Sequence, residues 1–355
     1  MAIDSIGLQS NPQELKTGWI ASVAARTPAA YFGMVLGLVG LGNAWRAAEQ
    51  TWHIGNGVSE WILALAAAVW AILVVLFAIK AIYAMDKLVE EINHPVQCCF
   101  VGLSGVATML IAVAAEPYSY AAGATLFLIG FAYTAIFAVW RTGSLWRGER
   151  DPATTTAVLY LPTVAGSFVT ATAASSLGYQ DWGQLAFGAG IFSWLALESV
   201  FLHRLLTGPM TPPALRPTLG VQLAPAPVGA VAYISVTGGA PDMFVHALIG
   251  YGILQLLFLL RLSLWLREAG AVMGFWAFSF GATSIATAPV RLLGAGDNAA
   301  ISVVAPVTFV LANVFVIGLA VMTVWLLLSG RMYGKPAATK LPVSREGDTP
   351  VIPMK

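Results

Sequence analysis

Long apolar runs separated by short polar links make up most of this chain. A membrane-crossing helix takes about 20 mainly apolar residues. Ten runs meet that length, at 27–46, 58–82, 95–114, 118–140, 156–176, 182–203, 217–238, 242–264, 271–292 and 299–329. The links are short, so successive helices should return as antiparallel hairpins, with no separate soluble domain between them. Those at 115–117, 177–181 and 239–242 leave no room for one. The expected organisation is a cytoplasmic segment at 1–25, an all-α integral membrane domain of ten transmembrane helices at 26–330, and a disordered cytoplasmic tail at 331–355. Pro336, Pro342, Pro350 and Pro353 stand among charges in that tail, a composition that does not pack. Asp4, Glu14 and Lys16 interrupt the first 25 residues, so no cleavable signal is read there.

Composition identifies the solvent. Hydrophobic residues make up 58% of the chain and charged residues 10%, with a mean hydropathy of +0.78; ordinary soluble domains carry about 25% charge. Lipid must face most of this surface. The net charge of +1 leaves no basic face for nucleic acid. If the N-terminus is placed inside, every one of the 18 lysines and arginines except Arg46 and Arg291 falls on the cytoplasmic side. That asymmetry predicts two cytoplasmic termini.

The odd-numbered and even-numbered runs differ in kind. The odd ones are rich in Gly, Pro, Ser and Thr: Pro28, Gly33 and Gly37 in the first, Pro95, Gly102 and Gly105 in the third, Pro162 and Gly166 in the fifth, Pro217, Pro225 and Pro227 in the seventh, Pro289 in the ninth. The even ones, such as WILALAAAVWAILVVLFAIKAIY, are bulky and uniformly apolar. Proline frees backbone groups that, in a membrane, only protein or a water-filled cavity can satisfy. Small residues allow close packing or leave a lumen open. The alternation suggests five hairpins, each giving one inner and one outer helix, with five inner helices enclosing a central pore.

The ninth run contains GFWAFSFGATSIAT, residues 274–287, where bulky rings give way to small residues. One of these rings is a candidate plug. At 100° per residue Phe278 and Phe280 lie 200° apart and cannot both face an axis. Ser284 shares the face of Phe280, and so does Trp276. Helical geometry leaves both rings open as plugs.

Two motifs, PAAYFGMVLGLVGLGNAWR (28–46) and FWAFSFGATSIAT (275–287), resemble the tellurite-resistance/dicarboxylate-transporter family. That family includes bacterial TehA-type channels, plant guard-cell slow anion channels, and fungal malate and sulfite transporters. The resemblance extends over roughly 26–330. It implies a quasi-five-fold bundle of helical hairpins, a pore through each protomer of a homotrimer, and a phenylalanine on the ninth helix that occludes it. The family's aromatic-Ser/Thr-Phe-Gly/Pro pattern falls on Phe278-Ser279-Phe280-Gly281, which carries the gate to Phe280. Gly281 stands where the plant channels have proline, as in the bacterial branch. The implied partners are small inorganic or organic anions and the lipid bilayer, and the implied location is a bacterial inner membrane.

Within that frame, the pore-lining candidates are Phe32, Gly33, Gly37, Gly102, Ser104, Thr163, Ser167, Thr170, Trp276 and Ser284. Hydroxyls and helix breaks would stabilise a passing anion weakly enough for it to leave. Arg46 and Arg291 either focus anions at an external mouth or pair with Glu49, Glu60 or Asp297. Glu198 is the main ionisable group inside the membrane, which suggests proton coupling or a structural role. Asp86, Glu90 and Glu91, near Lys80 and Lys87, read as a solvated cytoplasmic loop. His53, His94, His203 and His246 have no ligand spacing, and Cys98 and Cys99 read as packing residues, so neither a metal nor another cofactor is expected. No nucleophile elbow or Walker motif appears, and an enzyme is not expected. The function read here is an anion channel or channel-like transporter. The alternative is a proton-coupled C4-dicarboxylate carrier or an exporter of sulfite or tellurite-related oxyanions.

Overall fold

The computed structural model describes residues 18–55, 57–148, 151–297 and 299–333, and all regular structure within them is helical. The α-helices are α1 (Trp19–Arg26), α2 (Phe32–Trp52), α3 (Val58–Tyr83), α4 (Met85–Asn93), α5 (Cys98–Ala115), α6 (Tyr120–Leu145) and α7 (Gly166–Ser176). They continue with α8 (Gln180–Thr207), α9 (Pro225–Thr237), α10 (Met243–Arg261), α11 (Ser263–Arg267), α12 (Ser279–Gly294) and α13 (Ala300–Leu328). Each of the ten apolar ranges falls on helical structure. Eight helical stretches are long and apolar enough to cross a membrane, or nine if the pair Trp19–Arg26 and Ala29–Trp52, bent by 80°, counts as one span. The range 271–292 falls outside that count because it is divided. A 3-10 segment, Met273–Phe278, precedes α12, which has only 16 residues.

Four of the Gly- and Pro-rich stretches begin with irregular turns. Ala29–Tyr31 and Pro213–Leu223 are 3-10, as is Met273–Phe278, and Leu161–Ala165 is a π-helical turn. Pro28, Pro162 and Pro213 stand at or beside three of these starts, and Pro217 lies inside the second 3-10 segment. A proline supplies no N–H and its ring excludes the carbonyl four residues back, so the turn must tighten or widen around it.

Burial separates the two kinds of helix. In Cys98–Ala115, Ala157–Ser176 and Pro213–Thr237, 67% to 78% of the residues are buried, against 17% to 33% in α3, α6, α8, α10 and α13. Many inner glycines are buried where helices touch rather than where a lumen opens. A Cβ at Gly37 would lie 2.6 Å from the Cβ of Ser279, and one at Gly102 would lie 2.6 Å from the ring of Phe137. The approach of α2 to α12, and of α5 to α6, therefore depends on a missing side chain.

Lys80 and Glu91 correct the expectation of a solvated loop. Asp86 and Glu90 are exposed, but Glu91 and Lys80 are buried and paired at 2.6 Å. Glu91 also accepts the N–H of Ala29 at 2.5 Å, and Lys80 donates to the carbonyl of Thr27 at 3.1 Å. Pro28 interrupts the chain at this point, which leaves those two backbone groups without helical partners. The buried ion pair satisfies both. Its signal, an acidic residue on the inward side of the amphipathic α4, was present in the sequence but not its partner. Within the expected N-terminal segment α1 is helical, whereas residues 1–17 and the tail from 334 lie outside the described residues.

Candidate functional site

The N-terminal ends of α2, α5, α7, α9 and α12, with the turns that precede them, enclose a cavity of about 260 Å³. Leu36, Leu103, Phe168, Val228 and Phe280 each reach its wall from a different helix. No charged side chain borders it among the described residues. The first turns of α-helices carry the positive end of the helix dipole, and here the preceding turns already accept first N–H groups, that of Phe32 at the Ala29 carbonyl, of Gly166 at the Leu161 carbonyl and of Ser279 at the Trp276 carbonyl. Five such ends at one cavity favour an anion without fixing it by a full charge.

Phe280, in the first turn of α12, is half-buried on this wall. Gly33 and Trp276 also border the cavity. Trp276 is only 3% exposed, and its indole N–H donates to Thr323 Oγ1 on α13 at 2.8 Å. Its ring is therefore held against an outer helix. Both rings border one cavity, as a shared face implies, although Trp276 belongs to a 3-10 segment, at three residues per turn, and the α-helical step begins only at Ser279.

The remaining lining candidates lie off the cavity wall. Phe32 packs on Phe77 of α3 at 5.3 Å between ring centroids. Gly37 and Gly102 serve the helix contacts described above. Ser104 donates to the Val101 carbonyl at 2.9 Å, and Thr170 to the Gly166 carbonyl at 2.7 Å and Met109 Sδ at 3.4 Å. Thr163 and Ser167 are half-buried. Ser284, one turn beyond Phe280, is buried, and its hydroxyl makes no hydrogen bond among the described residues. The fifth stretch instead presents Tyr160, Val164 and Phe168 to the cavity. Their four-residue spacing was visible in the sequence, whereas the hydroxyls singled out beside them, on Thr163, Ser167 and Thr170, do not border this cavity.

A second hollow, about 380 Å³, lies at the other end of α2, α9 and α12, bordered by Gln50, Thr51, His53, Gly239 and Arg291. Arg291 donates to Ser235 Oγ at 3.0 Å and to the Val231 carbonyl at 3.5 Å. Among the described residues it has no carboxylate partner. Asp297 pairs with His246 at 2.7 Å instead. Arg46 is different: its guanidinium meets both oxygens of Glu60, at 2.9 and 3.0 Å, and also reaches the Ala114 carbonyl at 3.3 Å. Tyr118, in the link after α5, donates to the same Glu60, and that bond pushes its phenol pKa up. Arg46 does not border the second hollow.

Glu198 is buried in α8 and held by neutral donors alone. It accepts Tyr160 Oη at 2.7 Å, Trp194 Nε1 at 2.9 Å, Gln222 Nε2 at 2.7 Å, Tyr251 Oη at 2.5 Å and Gln255 Nε2 at 3.3 Å. These donors come from four successive apolar stretches, so the carboxylate ties them together. Tyr160 also borders the first cavity.

Residues 26–324 match the family profile described as voltage-dependent anion channel. The chain is 35% identical over 309 residues to the tellurite resistance protein TehA homolog of Haemophilus influenzae, a match covering 87% of this chain and 93% of that one. It is 22% identical over 314 residues to the S-type anion channel SLAH3 of Arabidopsis thaliana, covering 84% of this chain and 48% of that protein, so it spans about half of the plant relative.

Proposed function

The chain belongs to the voltage-dependent anion channel family of multi-pass membrane proteins, and on that premise we propose that it is a passive anion channel gated by Phe280. In this reading ten spans form five hairpins, and the inner spans line one pore in each protomer of a homotrimer. The protein sits in a bacterial inner membrane with both termini cytoplasmic. An anion enters the 260 Å³ cavity, where the positive ends of the helix dipoles offset part of its lost hydration. The ring of Phe280 then blocks the axis, and passage requires it to rotate or α12 to shift. Arg291 lies eleven residues further along the same helix, roughly 16 Å at 1.5 Å per residue, and serves the external mouth.

The observation that carries this reading is the place of Phe280, on the wall of a cavity to which five helix N-termini contribute. The test is planar-bilayer recording of wild type and Phe280→Ala in chloride, nitrate, malate and sulfite. The variant should pass more current. Background current from a folded, monodisperse variant would refute the gate.

One contact favours the coupled-carrier reading: Tyr160 borders the cavity and donates to Glu198. Against it, the five bonds to Glu198 come from four successive stretches, which suits a structural tie within the bundle. Uptake of malate that requires a pH gradient and disappears in Glu198→Gln would establish the carrier. Flux that follows the anion gradient alone would exclude it.

A further inference from the structure

The face of α12 turned away from Phe280 floors a third hollow. Phe278, Ala282 and Ile285 form its floor, and the volume is about 460 Å³, within the roughly 300–1,000 Å³ of small-ligand pockets. α10 and α13 both pack on α12 and diverge over it, with Leu260 and Leu311 on the two walls. Both leucines are exposed, so the hollow opens outward from the bundle, where the chain meets lipid. Its lining is hydrocarbon apart from Ser263, Arg267 and Thr308. The Thr308 hydroxyl is already committed to the carbonyls of Val304 and Ala305, at 2.8 and 3.2 Å. The floor therefore offers no polar group to a ligand.

The polar end is different. Arg267, in the short α11 just past the end of α10, is exposed and forms no ion pair among the described residues. The adjacent carboxylate, Glu268, is taken by Arg216 at 2.5 Å, and that guanidinium in turn stacks on Trp265 at 4.2 Å from the ring centroid. The Ser263 hydroxyl also lacks a recorded partner. A hydrocarbon groove thus ends on an uncompensated cation and a free hydroxyl, where the helix leaves the apolar layer.

We propose that this groove binds a phospholipid, with one acyl chain along the α10–α13 cleft and the headgroup phosphate on Arg267 and Ser263. Charge complementarity selects the occupant, because a groove without polar floor atoms suits a hydrocarbon tail and its one cation suits a phosphate. The bound tail rests on Phe278 and Ala282, directly behind the gate candidate. With the orientation proposed above, the lipid belongs to the inner leaflet, but the site does not depend on Phe280 being a gate.

The test uses the full chain in phosphatidylcholine nanodiscs doped with phosphatidylglycerol that carries a diazirine on its acyl chain. After irradiation, peptide mass spectrometry maps the adducts. They should concentrate on residues 275–285 and 308–315, above the level on the outer faces of α3 and α6. Arg267→Gln should cut them about fivefold, the effect of one cation–phosphate contact at a membrane surface. Leu311→Trp, which fills the groove from its wall, should remove them while adducts on α3 and α6 persist. Both variants change outward-facing residues, and unaltered size-exclusion elution reports that they fold. Equal adduct density on all outer faces, unchanged in both variants, would reduce the site to ordinary boundary lipid and overturn the proposal. A disulfide between subunits formed in air by Val314→Cys, on the exposed wall of the groove, together with absence of lipid adducts, would overturn it in favour of a second copy.

Discussion

The two ends of α12 present an anion with opposite environments. At the Phe280 end the cavity is apolar, has no charged side chain on its wall, and gathers five helix N-termini. At the Arg291 end a guanidinium without a carboxylate partner stands among Gln50, Thr51 and His53. The first arrangement favours negative charge diffusely, through helix dipoles that bind weakly. The second is a localised charge that raises the concentration of anions near it. The difference teaches that selection for sign and control of passage can occupy separate places on one helix. If Phe280 is the gate proposed above, a full charge beside it would hold an ion that has to leave.

The largest expected effect tests the apolar end. Phe280→Ala should raise anion conductance on the order of a hundredfold, equivalent to about 2.7 kcal/mol off the barrier, and Phe280→Leu should raise it much less. Single-channel recording separates the two, and equal currents would mean that ring size is not what blocks the path. Next comes the charged end. Arg291→Gln should lower anion flux about tenfold at low ionic strength. That deficit should shrink at 1 M salt, where the screening length falls to about 3 Å. A deficit that ignores salt would remove Arg291 from the mouth and leave it a packing role.

Two smaller effects sharpen the contrast. Glu198→Gln replaces an acceptor oxygen with an NH2 group that faces five donors, and should cost about 1–3 kcal/mol of stability while leaving conductance near wild type. Thermal unfolding in detergent measures the first and bilayer recording the second. Arg46→Gln is the control for Arg291. It breaks a partly exposed bidentate pair with Glu60, worth about 1 kcal/mol, and should leave the salt dependence of flux unchanged. If Arg46→Gln and Arg291→Gln behave alike, the distinction between a neutralised and an open arginine fails.

Part of the site was legible from the residues and part was not. Trp276 and Phe280 were inseparable on a uniform helical wheel. A 3-10 start and the bond to Thr323 separate them, and neither can be read from a spacing of four. Ser104 and Thr170 looked like lumen hydroxyls, yet each bonds a carbonyl of its own helix. That is the usual local satisfaction of a hydroxyl inside a helix. Gly37 and Gly102 read as pore-lining candidates because they are small. The sequence could not say whether the space was filled by a neighbouring helix or left open, and here Ser279 and Phe137 fill it.

What the sequence determined by itself is whatever depends on local composition. The apolar runs, the prolines that interrupt alternate ones, the one-sided placement of Lys and Arg, and the two motifs that mark the family are all properties of short segments. Tertiary structure decided the choice of partner. Arg46 found Glu60 while Arg291 found, among the described residues, only Ser235 and a carbonyl. Glu91 left the apparent surface for Lys80, and Glu198 gathered donors from four stretches. A charge in a membrane is governed by what lies within a few ångströms of it, and those neighbours are distant in the chain. Hydropathy identifies which residues leave water, and only the packed bundle determines what each of them then meets.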